Sequence, residues 1–99
     1  MIYEMRTYTL KPGCTDEFEK RFAEALPHRA KYSKLTAFWH TEIGPLNQVI
    51  HVWEYQDLNE RARIRDEARK DPHWPPNSRE LIETQETKIL IPAAFSPLK

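Results

Sequence analysis

Cysteine and glycine are nearly missing from this chain. Cys14 is the one cysteine among 99 residues, so no disulfide can close within the chain, and a reducing compartment fits. The two glycines, Gly13 and Gly44, leave few positions where the backbone can take positive φ without strain, and each marks a turn. No sign of charge is in excess: fifteen Lys and Arg balance fifteen Asp and Glu. Binding to nucleic acid or to an anionic membrane normally needs a basic surplus, so neither is expected as a partner. No apolar run approaches the ~20 residues that cross a bilayer. The N-terminus opens directly into a strand pattern, without the layout of a signal peptide. A soluble cytoplasmic protein is the expectation.

What is present is aromatic mass, at 11% of residues, enough to build a core despite the polar average. The length suits one domain over residues 1–99. Ile2 to Leu10 is rich in β-branched and aromatic types and reads as a first strand. Apolar groups fall on both its faces, the mark of a central strand covered on two sides. Lys11-Pro12-Gly13 breaks it. Thr15 reads as an N-cap, and Phe18, Phe22, Ala25, Leu26 and Tyr32 recur at helical spacing. Pro27 predicts that this helix kinks or ends near Leu26.

A hairpin follows. Its strands run from about Leu35 to Ile43 and from Asn47 to Tyr55, joined by a tight turn at Gly44-Pro45-Leu46-Asn47. Asp57 and Glu60 form a capping box for a second helix from Leu58 to about Lys70. Its apolar stripe of Leu58, Ala62, Ile64 and Ala68 is thin. Arg61, Arg65 and Arg69 form a second stripe, read as a solvated face with local ion pairs. His73 to Pro76 cannot be regular helix, Ser78 to Ile82 suits a short turn, and Glu83 to Ile91 completes the strands. The order β-α-β-β-α-β is the α+β, ferredoxin-like arrangement, with a four-stranded antiparallel sheet.

The hairpin WHTEIGPLNQVIHVWEY resembles the signature of the NIPSNAP family, with its T-E-I-G-x-L-N turn and its H-x-W-x-Y strand. The opening IYEMRTYTLKPG and the close ILIPAAFSP resemble that family's ends. The resemblance implies a ferredoxin-like protomer that pairs through its sheet face into a homodimeric α+β barrel. Its superfamily includes monooxygenases, haem-dependent enzymes and small isomerases. Family members carry a longer helix where Pro75-Pro76 interrupts this chain.

The residues themselves suggest a small-molecule pocket between sheet and helices. Asn47, His51, Trp53 and Tyr55 share a strand face, and Arg6 and Tyr8 share one on the first strand. In that pocket His51 is the candidate catalytic acid or base, with the binding residues Arg6, Tyr8, Trp39, Asn47 and Trp53. Arg6 suits a carboxylate or phenolate, Asn47 an oxyanion, and the two tryptophans a planar body. The bland reading competes at each position. His51 reads first as a hydrogen-bonded structural residue, the tryptophans as core, Asn47 as a turn residue, and Glu4 with Arg6 as a pair within the sheet. A metal set of His40, Glu42 and His51 lacks a dense ligand motif and is not expected. No cofactor is expected, with haem through His51 or His28 as the lesser alternative. Two functions stand: a cofactor-independent enzyme acting on an aromatic or acidic metabolite, or a non-catalytic homodimeric binding module. The first predicts a cavity lined by Arg6, Tyr8, Trp39, His51 and Trp53; the second predicts a packed interior.

Overall fold

In the computed structural model, which describes residues 1–99, four strands form one antiparallel sheet. They are β1 (Ile2–Leu10), β2 (Leu35–His40), β3 (Gln48–Tyr55) and β4 (Ile82–Leu90), in the order β2-β3-β1-β4. Helices α1 (Thr15–Ala30) and α2 (Leu58–Arg69) complete the ferredoxin-like α+β fold. β1 is central, as its two-faced apolar pattern predicts, and pairs with β3 on one side and β4 on the other. Glu4 stands opposite Trp53, Arg6 opposite His51 and Tyr8 opposite Val49, so these side chains share one face. Phe38 of β2 joins that face opposite His51.

Both helices cover this face. α1 places Phe18, Phe22, Ala25 and Arg29 inward, at spacings of four, three and four residues. Phe18 and Phe22 pack with Tyr8, Val49, Trp53 and Tyr55 in the main core. Each such ring contributes ~2–3 kcal/mol through burial. α2 packs more thinly: Ile64 and Ala68 are buried, whereas Leu58 and Ala62 are exposed. Its capping box forms, with the Glu60 backbone N–H donating to Asp57 Oδ1 at 2.8 Å.

Two elements differ from their sequence expectation. α1 does not stop at Leu26 but continues through Pro27 to Ala30. Pro27 sits on the exposed side, so the carbonyl it leaves unpaired faces water. Two residues later Arg29 ties the helix end down through Ser33 and Tyr55. The hairpin is not a tight turn. β2 ends at His40 and a loop over Thr41–Asn47 intervenes. The Thr41 N–H still donates to Gln48 O at 3.0 Å, and Asn47 takes φ 58°. Asparagine tolerates that left-handed conformation better than most residues. No helix is long and apolar enough to cross a membrane.

Candidate functional site

Glu4 is fully buried in the central strand and sits among arginines. Arg61 donates from Nε to Glu4 Oε2 at 2.9 Å. Arg6 Nη1 lies 3.6 Å from the same oxygen, and Arg65 Nη1 lies 3.6 Å from Oε1. Three guanidiniums thus share one carboxylate, and two positive charges remain in excess. A lone buried charge is strongly disfavoured, so Glu4 and its arginines depend on one another. Arg61 and Arg65 occupy the inward face of α2 beside Ile64 and Ala68. The arginine stripe is therefore solvated only in part: Arg69 is exposed and pairs locally with Asp66, whereas Arg61 and Arg65 turn toward Glu4. Partial burial holds Arg65 below its ordinary pKa, against the pull of Glu4.

Beside this cluster stands His51, 2% exposed. Its ring stacks on Phe38 at 5.5 Å and meets the edges of Tyr8 and Phe22 at 5.0 and 5.1 Å. Trp53 Nε1–H donates to His51 Nδ1 at 2.8 Å. Trp53 can only donate, so Nδ1 is the acceptor and the proton of the neutral ring is on Nε2. Burial, and then the charge of Arg6, push the His51 pKa down to about 3. Neutral His51 therefore presents an N–H donor, and Nε2 has no partner within the chain. This arrangement suits a donor to a developing oxyanion, not a base at Nε2.

Glu4, Arg6 and Arg65 of this cluster line one cavity of about 430 Å³ together with His51, inside the range of ligand pockets. Its apolar wall is built by Tyr8, Phe18, Phe22, Trp53 and Trp74. Its polar lining is dominated by five arginines, Arg6, Arg29, Arg65, Arg69 and Arg79, against the single carboxylate of Glu4. Arg29 is 3% exposed and has no acidic partner. It donates to Ser33 Oγ and Tyr55 Oη at 2.7 Å each and lies 4.5 Å over the Trp53 ring. The segment from Asp71 to Arg79 closes one side. Asp71 anchors it by accepting from the His73 N–H at 2.9 Å and from Tyr32 Oη at 3.2 Å. These contacts, with Lys31 alongside, hold its carboxyl below the usual range. Arg21 secures the far end through Asn77 O at 2.7 Å. Pro75 and Pro76, which break the helix there, are themselves part of the wall.

Of the residues marked in the sequence, Arg6, Tyr8, His51 and Trp53 meet at this cavity. Trp39 does not. It stands opposite Ile50 on the other sheet face, 55% exposed, and Phe38 takes the place beside His51. Asn47 also lies away from the cavity: its Oδ1 accepts from the Gly13 N–H at 2.9 Å, which ties the hairpin loop to the turn after β1. Arg29, Arg65 and Trp74 are lining residues that the strand-face reading misses, and Glu4, which it reads only as a pair for Arg6, lines the cavity as well. Arg29 had a signal, since it lies eleven residues after Phe18 on the same helical face. His40, Glu42 and His51 do not converge: His40 Nδ1 lies 2.7 Å from Glu19 Oε2 on the outside, and Glu42 is in the loop. Haem fits this donor set poorly. A ligating imidazole donates from its distal nitrogen and coordinates through an unprotonated one. In His51 the Nδ1 accepts, and the proton is on Nε2. His28 lies outside the cavity lining, stacked on His73 at 4.3 Å.

The family model for NIPSNAP matches residues 3–97. A NipSnap homolog of Dictyostelium discoideum is 34% identical over 94 residues, covering 92% of this chain and 42% of that protein. The chain thus spans less than half the length of this curated relative. Among solved structures, an Agrobacterium tumefaciens protein superimposes with TM-score 0.94 at 38% identity, each chain covered over 100%. A putative antibiotic biosynthesis monooxygenase of Nitrosomonas europaea shares the fold at TM-score 0.72 and 12% identity, with 93% and 98% of the two chains covered. Sequence and fold agree over nearly the whole chain, and it belongs to the NIPSNAP family.

Proposed function

We propose that the cavity binds a small aromatic or acidic metabolite, and that the protein acts on it without a bound cofactor. One observation carries this reading. A ring of guanidiniums and an unpartnered N–H of a neutral histidine line the same cavity, against an aromatic wall. Such a lining suits a planar anion and stabilises negative charge that develops on its oxygen. Monooxygenase-like and isomerase-like reactions both pass through charge of that kind. The fold shared with a putative antibiotic biosynthesis monooxygenase is compatible with the first.

A homodimer accompanies this reading. The sheet face opposite the helices is only partly covered within the chain. Tyr3 and Val52 are buried there, but Met5 and Ile50 are half-buried, Trp39 and Leu90 are exposed, and Ile91 and Phe95 of the tail are also exposed. An apolar face of this breadth marks an interface, and a second copy in the cytoplasm is the occupant we propose. The same face favours the second reading, a non-catalytic dimeric module.

Native mass spectrometry of the purified protein, with an absorption spectrum of the same sample, tests both readings. A dimer carrying an additional small anion supports the pocket and the pairing. A dimer without added mass shifts the balance to the non-catalytic module. A monomer sinks the pairing. Once turnover is found, His51→Ala that folds and dimerises yet is inactive supports catalysis; loss of the dimer supports a structural role.

A further inference from the structure

Three buried side-chain polar atoms have no hydrogen-bond partner: Glu4 Oε1, Thr36 Oγ1 and His51 Nε2. Two of these, Glu4 Oε1 and His51 Nε2, belong to residues lining the same cavity. Native interiors satisfy almost all such atoms, so a pair of unpartnered atoms on residues of one cavity points to the polar chemistry a ligand would meet there. The two are complementary. His51 Nε2 bears a proton and must donate, whereas Glu4 Oε1, as carboxylate, must accept. Both residues lie on the helix-covered face of neighbouring strands: His51 is directly opposite Arg6, and Glu4 is two residues before Arg6.

A hydroxyl is the smallest single group that answers both. Its oxygen accepts from His51 while its proton goes to Glu4. The charge around that point fixes the rest of the ligand. Arg65 contacts Glu4 only at 3.6 Å, beyond hydrogen-bonding range, and Arg6 Nη1 is equally far, so both guanidiniums have donors to spare. A carboxylate next to the hydroxyl uses those donors and offsets the excess positive charge. Phe22, Trp53 and Trp74 then face the remainder of the molecule.

Building on the pocket reading above, we propose that the natural ligand is an aromatic hydroxy acid. Its carboxylate is held by Arg6 and Arg65, and its adjacent hydroxyl bridges His51 Nε2–H and Glu4 Oε1.

Isothermal titration calorimetry on the wild-type protein tests this with four probes: mandelate, phenylacetate, 2-methoxy-2-phenylacetate and benzyl alcohol. Mandelate supplies ring, carboxylate and hydroxyl. Phenylacetate lacks the hydroxyl, the methoxy acid accepts but cannot donate, and benzyl alcohol lacks the charge. The expected result is that mandelate binds about tenfold tighter than phenylacetate or the methoxy acid, the worth of one hydrogen-bonded contact. Benzyl alcohol is expected to be weakest. Arg65→Gln, at a partly exposed helix position, weakens the acids by about tenfold and leaves benzyl alcohol unchanged. Equal binding of mandelate and phenylacetate overturns the hydroxyl assignment while the anion pocket stands. Benzyl alcohol binding as well as the acids overturns the carboxylate assignment. If none of the four binds, the hydroxy-acid proposal fails, and the pocket reading rests separately on the co-purified mass.

Discussion

A neutral, buried His51 has a consequence for acid stability that can be measured without knowing any ligand. In the unfolded chain this imidazole titrates near 6.5; in the native protein it does so at about 3. Between those values the unfolded chain binds a proton that the native protein excludes. Stability contributed by this group is therefore complete above pH 6.5 and is lost as pH falls toward 3. The slope is ~1.4 kcal/mol per pH unit, and by pH 5 the loss is about 2 kcal/mol. That is a large fraction of the ~5–15 kcal/mol that holds a domain together.

The assay is urea denaturation at closely spaced pH values from neutral to about 5, on wild type and on His51→Gln. Glutamine does not titrate, yet it can accept from Trp53 through its carbonyl and donate through its amide. Asp71 and Glu80 are both held below the usual carboxylate range, so their stabilisation falls away at lower pH, outside this window. His40 works in the opposite direction. Its bond to Glu19 raises its pKa, so its contribution is present in acid and lost as pH rises. His40 is common to both proteins and cancels in the difference. Wild type is expected to lose about 2 kcal/mol more than His51→Gln on acidification to pH 5. Parallel curves for the two proteins would refute the argument, because His51 would then titrate alike in native and unfolded states. Long-range proton–nitrogen spectra of the imidazole offer a second check: a neutral ring protonated on Nε2 is expected at pH 5.

Glu4→Gln leaves Arg6, Arg61 and Arg65 without their shared carboxylate. It is expected to destabilise by about 1–3 kcal/mol in urea titrations, the worth of charge-assisted hydrogen bonds whose arginine partners are partly exposed to water. Asp57→Ala removes the acceptor for the Glu60 N–H at the start of α2. It is expected to cost about 1 kcal/mol, and an unchanged midpoint would show the cap to be idle. Ile50→Lys places an ammonium in the middle of the sheet face opposite the helices. It is expected to weaken a dimer about a hundredfold, read by sedimentation or native mass spectrometry, with the fold retained.

The central place of β1 is legible in its sequence because apolar groups fall on both of its faces. The capping box of α2 is legible because its two side chains act locally. Pro27 is misleading, since its local penalty is overridden by Arg29, whose partners Ser33 and Tyr55 flank and lie beyond the hairpin's first strand. The alternating charges of α2 conceal its inward face for a similar reason. Only the register of β1, which sets Glu4 beneath that helix, explains why Arg61 and Arg65 turn inward. Trp39 is different. The parity across Gly44-Pro45 sets Phe38, not Trp39, opposite His51, so this placement is readable from the sequence. Aromatic chemistry alone favours the tryptophan.

The cavity of about 430 Å³ bears on the packed-interior alternative through its lining. Leucine or phenylalanine could fill such a space, and hydrophobic replacement of buried ion clusters is often neutral or stabilising. This chain instead lines the space with guanidiniums, buries Glu4 to hold three of them, and leaves Arg29 among neutral partners. Each choice lowers the stability available to a 99-residue fold. Departures of this kind concentrate where a sequence serves binding or chemistry in preference to stability. Two of the unsatisfied polar atoms lie on residues at that same cavity, so the binding site we propose accounts for the opening, the charges and the unpaired atoms together.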